Sequence, residues 1–335
     1  MLGKLGFSWS KSRTGFWQHS KLNWKSWQNK NCFLSQEKQE IDKDIFSREL
    51  EEYAHNLNFE LDKGKEIQQN FLPDQLLQPE NWEIAAYFHA ARMVSGDFYD
   101  VFELPGGYIG LVIADVCDKG VGAALFMGLF RSLIRIFSGQ TSLQGVSLLG
   151  VDFDELESKN IGHLFLENLD NKIDLAQIHA LKAIPLTNNY VAQNHWSLNM
   201  FATVFFGVLN PETGSLSYIN AGHEPLFLLN SGCIKTSLPP TGTVVGALPN
   251  MKFGVGQVQL EPDEILIGYT DGVTDARSPE QEFFSSQQLK QLLEQPTNSA
   301  ADILELVRTN LFAHINHASQ FDDITMLAIR RLRSQ

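Results

Sequence analysis

Cysteine is scarce in this sequence, and several common functional signatures are absent. The three cysteines, Cys32, Cys117 and Cys233, form neither a CxxC pair nor an even set for disulfides, so neither a zinc site nor a disulfide framework is indicated. No apolar run reaches the roughly 18–20 residues needed to cross a bilayer. The amino terminus also lacks the apolar region of a secretory signal. These absences predict a cytoplasmic protein without a transmembrane segment.

Two catalytic motifs are also absent, and the net charge does not favour nucleic-acid binding. The sequence contains no GxxxxGK[ST] phosphate loop and no GxSxG turn, which leaves nucleotide hydrolysis and serine-hydrolase chemistry without support. The net charge of −13 argues against nucleic-acid binding by the part of the chain that follows residue 35. The charge is unevenly distributed, because residues 1–35 contain no acidic residue but six basic ones. The basic residues are Lys4, Lys11, Arg13, Lys21, Lys25 and Lys30.

Residues 1–35 also hold four of the six tryptophans, at positions 9, 17, 24 and 27. No clean period relates them, so this segment is predicted to be a flexible, basic, Trp-rich tail. Such a tail could contact an anionic membrane surface or a partner protein. A tail without a specific ligand explains the composition equally well.

Residues 36–75 are predicted to form a helical linker. The apolar positions follow a heptad spacing that Glu60 and Gly64 interrupt, and Pro73 is predicted to end the helix. The positions in this seam are Phe46, Leu50, Tyr53, Leu57, Gly64, Ile67 and Phe71. A single amphipathic helix docked on its own domain and a two-stranded coiled coil that joins a homodimer both explain the seam.

Residues 76–335 alternate predicted strands and helices. Hairpin-linked strands with separate helices favour an α+β fold of antiparallel sheets flanked by helices over a doubly wound parallel sheet. Residues 138–195 have a mostly helical pattern without an assignable motif. The strands are predicted at Trp82–His89, Tyr108–Ala114, Phe201–Leu209, Leu216–Asn220, Leu226–Leu229, Glu264–Tyr269 and Ile324–Ile329, and the helices at Ala123–Phe137 and Ala300–His314.

Four short turns each place an aspartate beside a predicted strand. They read SGDFYD (95–100), IADVCDKGVGAAL (113–125), GYTDGVTDA (268–276) and FDDIT (321–325). Carboxylates held at strand ends suit Mg²⁺ and Mn²⁺, which prefer oxygen ligands. Any one of these aspartates could simply stabilise its own turn, but four in one chain favour a metal centre.

Together with KGKEIQQNFLP (63–73), AGHEP (221–225) and PTGTVVGALP (240–249), these turns resemble the bacterial PPM-type serine/threonine phosphatases. The similar branch is the protein phosphatase 2C-like one that contains sporulation stage II protein E and RsbU. The resemblance covers residues 63–330. It implies a four-layer αββα sandwich with an N-terminal helical extension, with two Mn²⁺ or Mg²⁺ ions between the sheets.

The resemblance also implies roles for individual residues. Asp97, Asp115, Asp271 and Asp322 correspond to the metal carboxylates, with Asp115 bridging both ions, and Val116 would supply a backbone carbonyl. Asp323 is adjacent to Asp322, and only one of the two is expected to be a ligand. No residue would act as a covalent nucleophile, because a metal-bound water attacks the phosphate. The backbone would turn tightly beside the ions at Gly96, Gly120, Gly222 and Gly272.

Other polar residues carry weaker expectations. Arg92 could bind a substrate phosphate, although a surface arginine is the simpler interpretation. His223 is expected to be structural and Cys117 to be a small buried thiol. His314 and His317 lack a third ligand for a metal site.

The resemblance implies a metal-dependent phosphoserine/phosphothreonine phosphatase that acts on a phosphorylated anti-sigma-factor antagonist in a partner-switching pathway. Two alternatives stay open. One is a pseudophosphatase that binds such a partner without turnover, and the other is a metal hydrolase for small phosphoesters.

Overall fold

The computed structural model describes residue 43 and residues 45–73, 75–139, 147–148, 151–152, 166–167 and 173–333. Contacts divide the chain into two compact units, Met1–Glu60 and Leu61–Gln335. The predicted tail over residues 1–35 and most of residues 138–172 lie outside the described residues. Within the described ranges, no helix is long and apolar enough to span a membrane.

Helix α1 covers residues 45–69 and crosses the boundary between the two units. Its part in the first unit leaves the apolar seam exposed, with Phe46 66% and Tyr53 68% accessible. Gly64 interrupts the apolar seam but not the helix, which continues through this residue. A single glycine lowers helix stability by only about 1 kcal/mol, which the surrounding turns offset.

The second unit contains the strands and the remaining helices. The strands are β1 (Trp82–His89), β2 (Phe98–Leu104), β3 (Tyr108–Val116), β4 (Ser147–Leu148), β5 (Val151–Asp152), β6 (Leu166–Glu167), β7 (Ala202–Leu209), β8 (Ser215–Ala221), β9 (Leu226–Asn230), β10 (Cys233–Leu238), β11 (Phe253–Gly254), β12 (Gly256–Gln259), β13 (Ile265–Tyr269) and β14 (Ile324–Arg331). The helices are α2 (Val121–Phe137), α3 (Leu175–Leu181), α4 (Ala183–Asn194), α5 (Asp271–Thr274), α6 (Ser285–Leu293) and α7 (Ala300–Ile315).

Two five-stranded antiparallel sheets form the centre of this unit. The first has the order β1-β14-β13-β9-β10 and the second the order β12-β8-β7-β3-β2. Strands β3, β7, β13 and β14 lie inside the sheets, where both faces are covered. This explains why they read as continuous apolar runs in the sequence.

Three apolar layers hold these elements together. One lies between the second sheet and helices α2, α3 and α4, a second between the two sheets, and a third between the first sheet and helices α6 and α7. The predicted α+β, four-layer αββα sandwich is confirmed.

The alternation of side chains along β3 decides what faces the space between the sheets. Val112 and Ala114 pack against the helices, whereas Leu111 and Ile113 pack between the sheets. Because successive side chains alternate in a strand, Asp115 belongs to the inter-sheet face. The apolar layer therefore ends in a carboxylate at this edge.

A buried ion-pair cluster joins β2 to α2. Asp100 is 1% exposed. Its carboxylate accepts hydrogen bonds from Arg135 Nε at 2.5 Å and Arg135 Nη2 at 2.6 Å, and it forms an ion pair with Arg131, whose Nε lies 2.9 Å away. The second aspartate of SGDFYD is thus compensated by two arginines from one helix face, four residues apart. Asp100 stabilises the fold.

We expect Asp100→Ala to lower the free energy of unfolding by about 3–5 kcal/mol, because it leaves two partly buried guanidinium groups without their carboxylate. Urea denaturation followed by circular dichroism measures this loss. Glu305→Ala is the matched control, because it breaks an exposed pair with Arg308 and should cost no more than about 1 kcal/mol. Equal losses in the two variants would contradict a structural role for the buried cluster.

Candidate metal centre

The four predicted metal carboxylates converge where the ends of strands from both sheets meet. Asp97 precedes β2, Asp115 lies in β3, Asp271 begins α5 directly after β13, and Asp322 precedes β14. They are close enough for the other three each to change the pKa of Asp115: Asp271 and Asp322 act through charge and Asp97 through a side-chain hydrogen bond. We call these four residues the carboxylate cluster.

Asp97 is the most deeply buried member of the cluster, at 2% exposure. Its Oδ2 accepts hydrogen bonds from Thr270 Oγ1 at 2.7 Å and from Thr325 Oγ1 at 2.6 Å. Thr325 lies in β14 and Thr270 directly follows β13, both of the first sheet, so these bonds join the two sheets at the cluster. Burial raises the pKa of Asp97 well above its usual range, and the charge of Asp115 raises it further.

Asp115 and Asp271 experience the same crowding. Burial, followed by the charge of Asp271, raises the pKa of Asp115 to about 7. Burial, followed by the charge of Asp322, raises the pKa of Asp271 to about 6. Like charges without sufficient compensation produce such shifts. The cluster is a place where a cation would be favoured.

The backbone at Val116 is packed tightly against the same turn. The Val116 side chain is buried, and its carbonyl oxygen lies 2.7 Å from where a Cβ on Gly96 would stand. At Gly272 a Cβ would stand 1.8 Å from the carbonyl oxygen of Asp323. Both glycines are required because the strand ends approach each other too closely for any side chain.

Lys119 belongs to this site, although no pattern in the sequence predicts this. Its Nζ lies 2.7 Å from Asp322 Oδ2, donates to the carbonyl oxygen of Phe321 at 2.8 Å and stands 4.6 Å from the centre of the Phe321 ring. The motif around Asp115 contains Lys119 within four residues, but its partner Asp322 is visible only in the folded chain.

Asp322 and Asp323 have different surroundings despite being adjacent. Asp323 is 6% exposed, and its two carboxylate oxygens accept from Ala91 N at 2.7 Å, Ser95 Oγ at 2.7 Å and Gly96 N at 3.1 Å. Its oxygens are used to hold the turn formed by residues 95–97. Asp322 instead meets Lys119 at the edge of the cluster.

The remaining candidate residues lie apart from the cluster or are engaged elsewhere. Arg92 is exposed, and its Nη1 lies 3.9 Å from where a Cβ on Gly120 would stand. His223 is buried, with Nδ1 2.9 Å from Thr203 Oγ1, and burial lowers its pKa to about 3. A neutral imidazole at this position fits a structural role. His314 lies on α7 with Nε2 2.9 Å from the Glu282 carbonyl oxygen.

Cys117 lies beside the segment that leads into β7. Its Sγ accepts from Phe201 N at 3.2 Å and approaches the carbonyl oxygen of Asn199 at 3.7 Å. Burial raises the pKa of this thiol, so it favours the protonated, unreactive form.

The donor set fits a hard divalent cation in chemistry and charge. Carboxylate oxygens and a backbone carbonyl are the ligands that Mg²⁺ and Mn²⁺ prefer, and the raised pKa values of Asp97, Asp115 and Asp271 reflect burial together with neighbouring negative charge. Among the residues that the structure describes, no three Asp, Glu, His or Cys side chains already stand as a group that could hold a metal. Binding therefore requires small side-chain adjustments, including at the pair of Asp322 with Lys119.

We expect Asp323→Asn to lower the free energy of unfolding by about 1–3 kcal/mol, because an amide nitrogen would face backbone or hydroxyl donors that now bond a carboxylate. It should weaken Mn²⁺ binding less than Asp115→Asn does. Urea denaturation without added metal and calorimetric titration with Mn²⁺ give the two values. Asp302→Asn, at an exposed position, serves as the control. Unchanged stability with lost Mn²⁺ binding would instead make Asp323 a direct ligand.

Comparison with known proteins connects this geometry to a family. The sequence profile described as "Stage II sporulation protein E (SpoIIE)" matches residues 105–332. Protein IcfG of Synechocystis sp. is 47% identical over 289 residues, which are 86% of this chain and 44% of IcfG. Phosphoserine phosphatase RsbU of Bacillus subtilis is 26% identical over 276 residues, which are 81% of this chain and 70% of RsbU. This chain thus spans less than half the length of IcfG.

A solved structure shares the fold. The SiaA-PP2C domain of Pseudomonas aeruginosa superposes with a TM-score of 0.61 at 19% identity, covering 82% of this chain and 97% of that domain. At this identity the similarity concerns the fold alone. The profile match extends over more than half of the sequence, from before β3 to beyond β14. The chain therefore belongs to the SpoIIE family and has its protein phosphatase 2C-like fold.

Proposed function

We propose that this chain is a metal-dependent phosphatase that hydrolyses phosphoserine or phosphothreonine in proteins. The observation that carries the proposal is the convergence of Asp97, Asp115, Asp271 and Asp322 from both sheets, where burial and neighbouring carboxylates raise the pKa values of the first three. The name of the relative RsbU, a phosphoserine phosphatase, supports the same chemistry. The two hydroxyl groups that contact Asp97 are already engaged in hydrogen bonds, which fits a mechanism without a covalent nucleophile.

Asp97, Asp115, Asp271, Asp322 and the carbonyl of Val116 would hold two Mn²⁺ or Mg²⁺ ions. When bound, such a pair activates a water molecule and neutralises charge on the transferred phosphate. Asp115 would suit the bridging position, because the other three carboxylates all interact with it, Asp271 and Asp322 through charge and Asp97 through a side-chain hydrogen bond. Thr270 and Thr325 orient Asp97 by donating hydrogen bonds to its Oδ2. Neither of these two bonds involves Oδ1.

Two cationic side chains are candidates for holding the substrate phosphate. Arg92 is exposed near the start of α2, and Lys119 stands at the edge of the carboxylate cluster. A guanidinium can bind a phosphate through two parallel hydrogen bonds, and an ammonium provides a compact charge. Because Lys119 pairs with Asp322, Arg92 is the more readily available of the two for a phosphate.

For the substrate we propose a phosphorylated anti-sigma-factor antagonist, in a partner-switching pathway in the cytoplasm. The proposal rests on the resemblance to RsbU-like phosphatases, one of which is a 26% identical relative. The alternatives make different predictions. A pseudophosphatase would bind a phosphoprotein without releasing phosphate, and a phosphoesterase for small molecules would prefer nucleotides to phosphopeptides.

We expect Asp115→Asn to abolish phosphate release from a phosphoserine peptide in Mn²⁺ and to weaken binding of the metal pair, because the bridging charge is lost. Asp271→Asn and Asp322→Asn should have the same effect, whereas Asp302→Asn should retain wild-type activity. Malachite-green phosphate assays and calorimetric Mn²⁺ titration measure both properties. Substantial turnover by Asp115→Asn in excess Mn²⁺ would rule out the two-metal mechanism.

We also propose that α1 joins two copies of the chain. Phe46, Leu50, Tyr53 and Leu57 lie at heptad spacing and are 45–68% exposed. A second copy of the same helix would cover this stripe in a coiled coil. Replacing Gly64 with Ala should strengthen the helix by about 1 kcal/mol, and the added Cβ would lie 3.7 Å from Val94 Cγ1, an ordinary contact.

Leu50→Glu should convert the dimer to a monomer and alter basal activity, while Gly64→Ala should preserve the dimer and also shift activity. Light scattering gives the mass, and Mn²⁺-dependent phosphate release gives the activity. His55→Glu adds the same charge on the opposite side of the heptad and serves as the control. Identical mass and turnover in the wild type and the three variants would show that α1 neither joins two copies nor affects activity.

A further inference from the structure

The buried end of α1 presents an amide where an apolar residue would be expected. Gln68 is 7% exposed, whereas its neighbour Ile67 is 62% exposed and Gln69 is also exposed. This reverses the usual amphipathic arrangement, in which the apolar side chain faces the protein. A buried amide needs hydrogen-bond partners to offset its lost hydration, and the identity of those partners shows what the residue holds.

Both partners of Gln68 belong to a single residue. Its Nε2 donates to the carbonyl oxygen of Ser95 at 2.6 Å, and its Oε1 accepts from Ser95 N at 2.9 Å. The side chain thus pairs with the backbone of Ser95 as a neighbouring strand would. Both backbone groups would otherwise be buried without partners, since Ser95 is fully buried.

Ser95 connects this amide pair to the carboxylate cluster. Its Oγ accepts from Asp97 N at 3.0 Å and donates to Asp323 Oδ2 at 2.7 Å. The turn of residues 95–97 is therefore held from two sides, by Gln68 through its backbone and by Asp323 through the Ser95 hydroxyl and Gly96 N. The orientation of Asp97 depends on both.

Apolar contacts keep Gln68 in place independently of the amide. The Phe71 ring lies 3.5 Å from where a Cβ on Gly128 of α2 would stand, and Gly64 faces the Val94 side chain. The end of α1 is thus docked by packing and, separately, linked to Ser95 by the amide. The two contributions can be removed one at a time.

We propose that Gln68 is a positioning residue, which sets the position of the Asp97 carboxylate through Ser95 and thereby the affinity of the cluster for divalent cations. The inference rests on the proposed function. Gln68 touches neither substrate nor metal. Groups that orient metal ligands through hydrogen bonds change metal affinity or activity by about 10–100-fold when they are replaced, and Gln68 acts one bond further away.

The test compares three variants of the full chain. Gln68→Leu keeps the size of the side chain and removes both hydrogen bonds. Phe71→Leu weakens the apolar docking and leaves the amide in place, and Gln69→Leu makes the same chemical change as Gln68→Leu at the exposed neighbouring position. Calorimetric titration with Mn²⁺ gives the affinity, thermal unfolding in EDTA gives the stability, and phosphopeptide turnover at saturating Mn²⁺ gives kcat and KM.

We expect Gln68→Leu to weaken Mn²⁺ binding by about 10-fold and to lower kcat, with KM for the phosphopeptide unchanged. Phe71→Leu should lower the unfolding temperature and retain wild-type Mn²⁺ affinity, and Gln69→Leu should match the wild type throughout. A Gln68→Leu protein with wild-type Mn²⁺ affinity would overturn the inference alone. The same loss of Mn²⁺ affinity in Phe71→Leu would also overturn it, because docking in general would then be responsible. A wild-type chain that binds no Mn²⁺ would overturn the proposed function and this inference together.

Discussion

Electrostatic repulsion between buried carboxylates is the constraint on which the centre of this fold depends. Asp97 and Asp115 come from the second sheet, and Asp271 and Asp322 lie at strand ends of the first. Burial and neighbouring carboxylates raise the pKa values of Asp97, Asp115 and Asp271, so bringing them together costs free energy. The apolar layer between the sheets, from Trp82 to Ile329, offsets this cost by burying large side chains on both sides.

The two aspartates of the SGDFYD turn illustrate two ways of burying a charge. Asp100 is compensated by Arg131 and Arg135, fixed cations that belong to the chain. Among the described residues, Asp97 is buried without such a cation and accepts hydrogen bonds from the hydroxyl groups of Thr270 and Thr325. Hydroxyls orient a carboxylate without neutralising it. The first arrangement therefore stabilises the fold, and the second leaves charge available for an added cation.

Much of the fold could be predicted from the sequence, because the signals are local. The buried strands β3, β7, β13 and β14 appear as apolar runs next to turn residues, and the aspartates at their ends share one pattern. Gly64 interrupts the apolar seam of α1 in the sequence, but the helix continues through it, since tertiary contacts such as Phe71 with Gly128 outweigh the propensity of one residue.

Residues whose role depends on a distant partner could not be found in this way. Gln68 appears in the sequence as one of two adjacent glutamines, and only its burial against Ser95 distinguishes it from Gln69. The role of Lys119 likewise depends on its ion pair with Asp322, which is far away in the sequence. Strands β10 and β12 were not anticipated, because their half-exposed, polar sequences resemble loops.

The strand order has a consequence for synthesis on the ribosome. Within the described part of the chain, strand β1 pairs with β14 alone, and Ser95 lies 228 residues before Asp323, to which its hydroxyl donates a hydrogen bond. At about 5–20 residues per second, β1 and the first carboxylates wait about 10–45 s for these partners. During that time the nascent chain exposes an unpaired strand edge, a surface on which chaperones act and on which chains aggregate. Because β14 is an interior strand and Asp322 lies just before it, the carboxylate cluster cannot assemble until this late segment emerges.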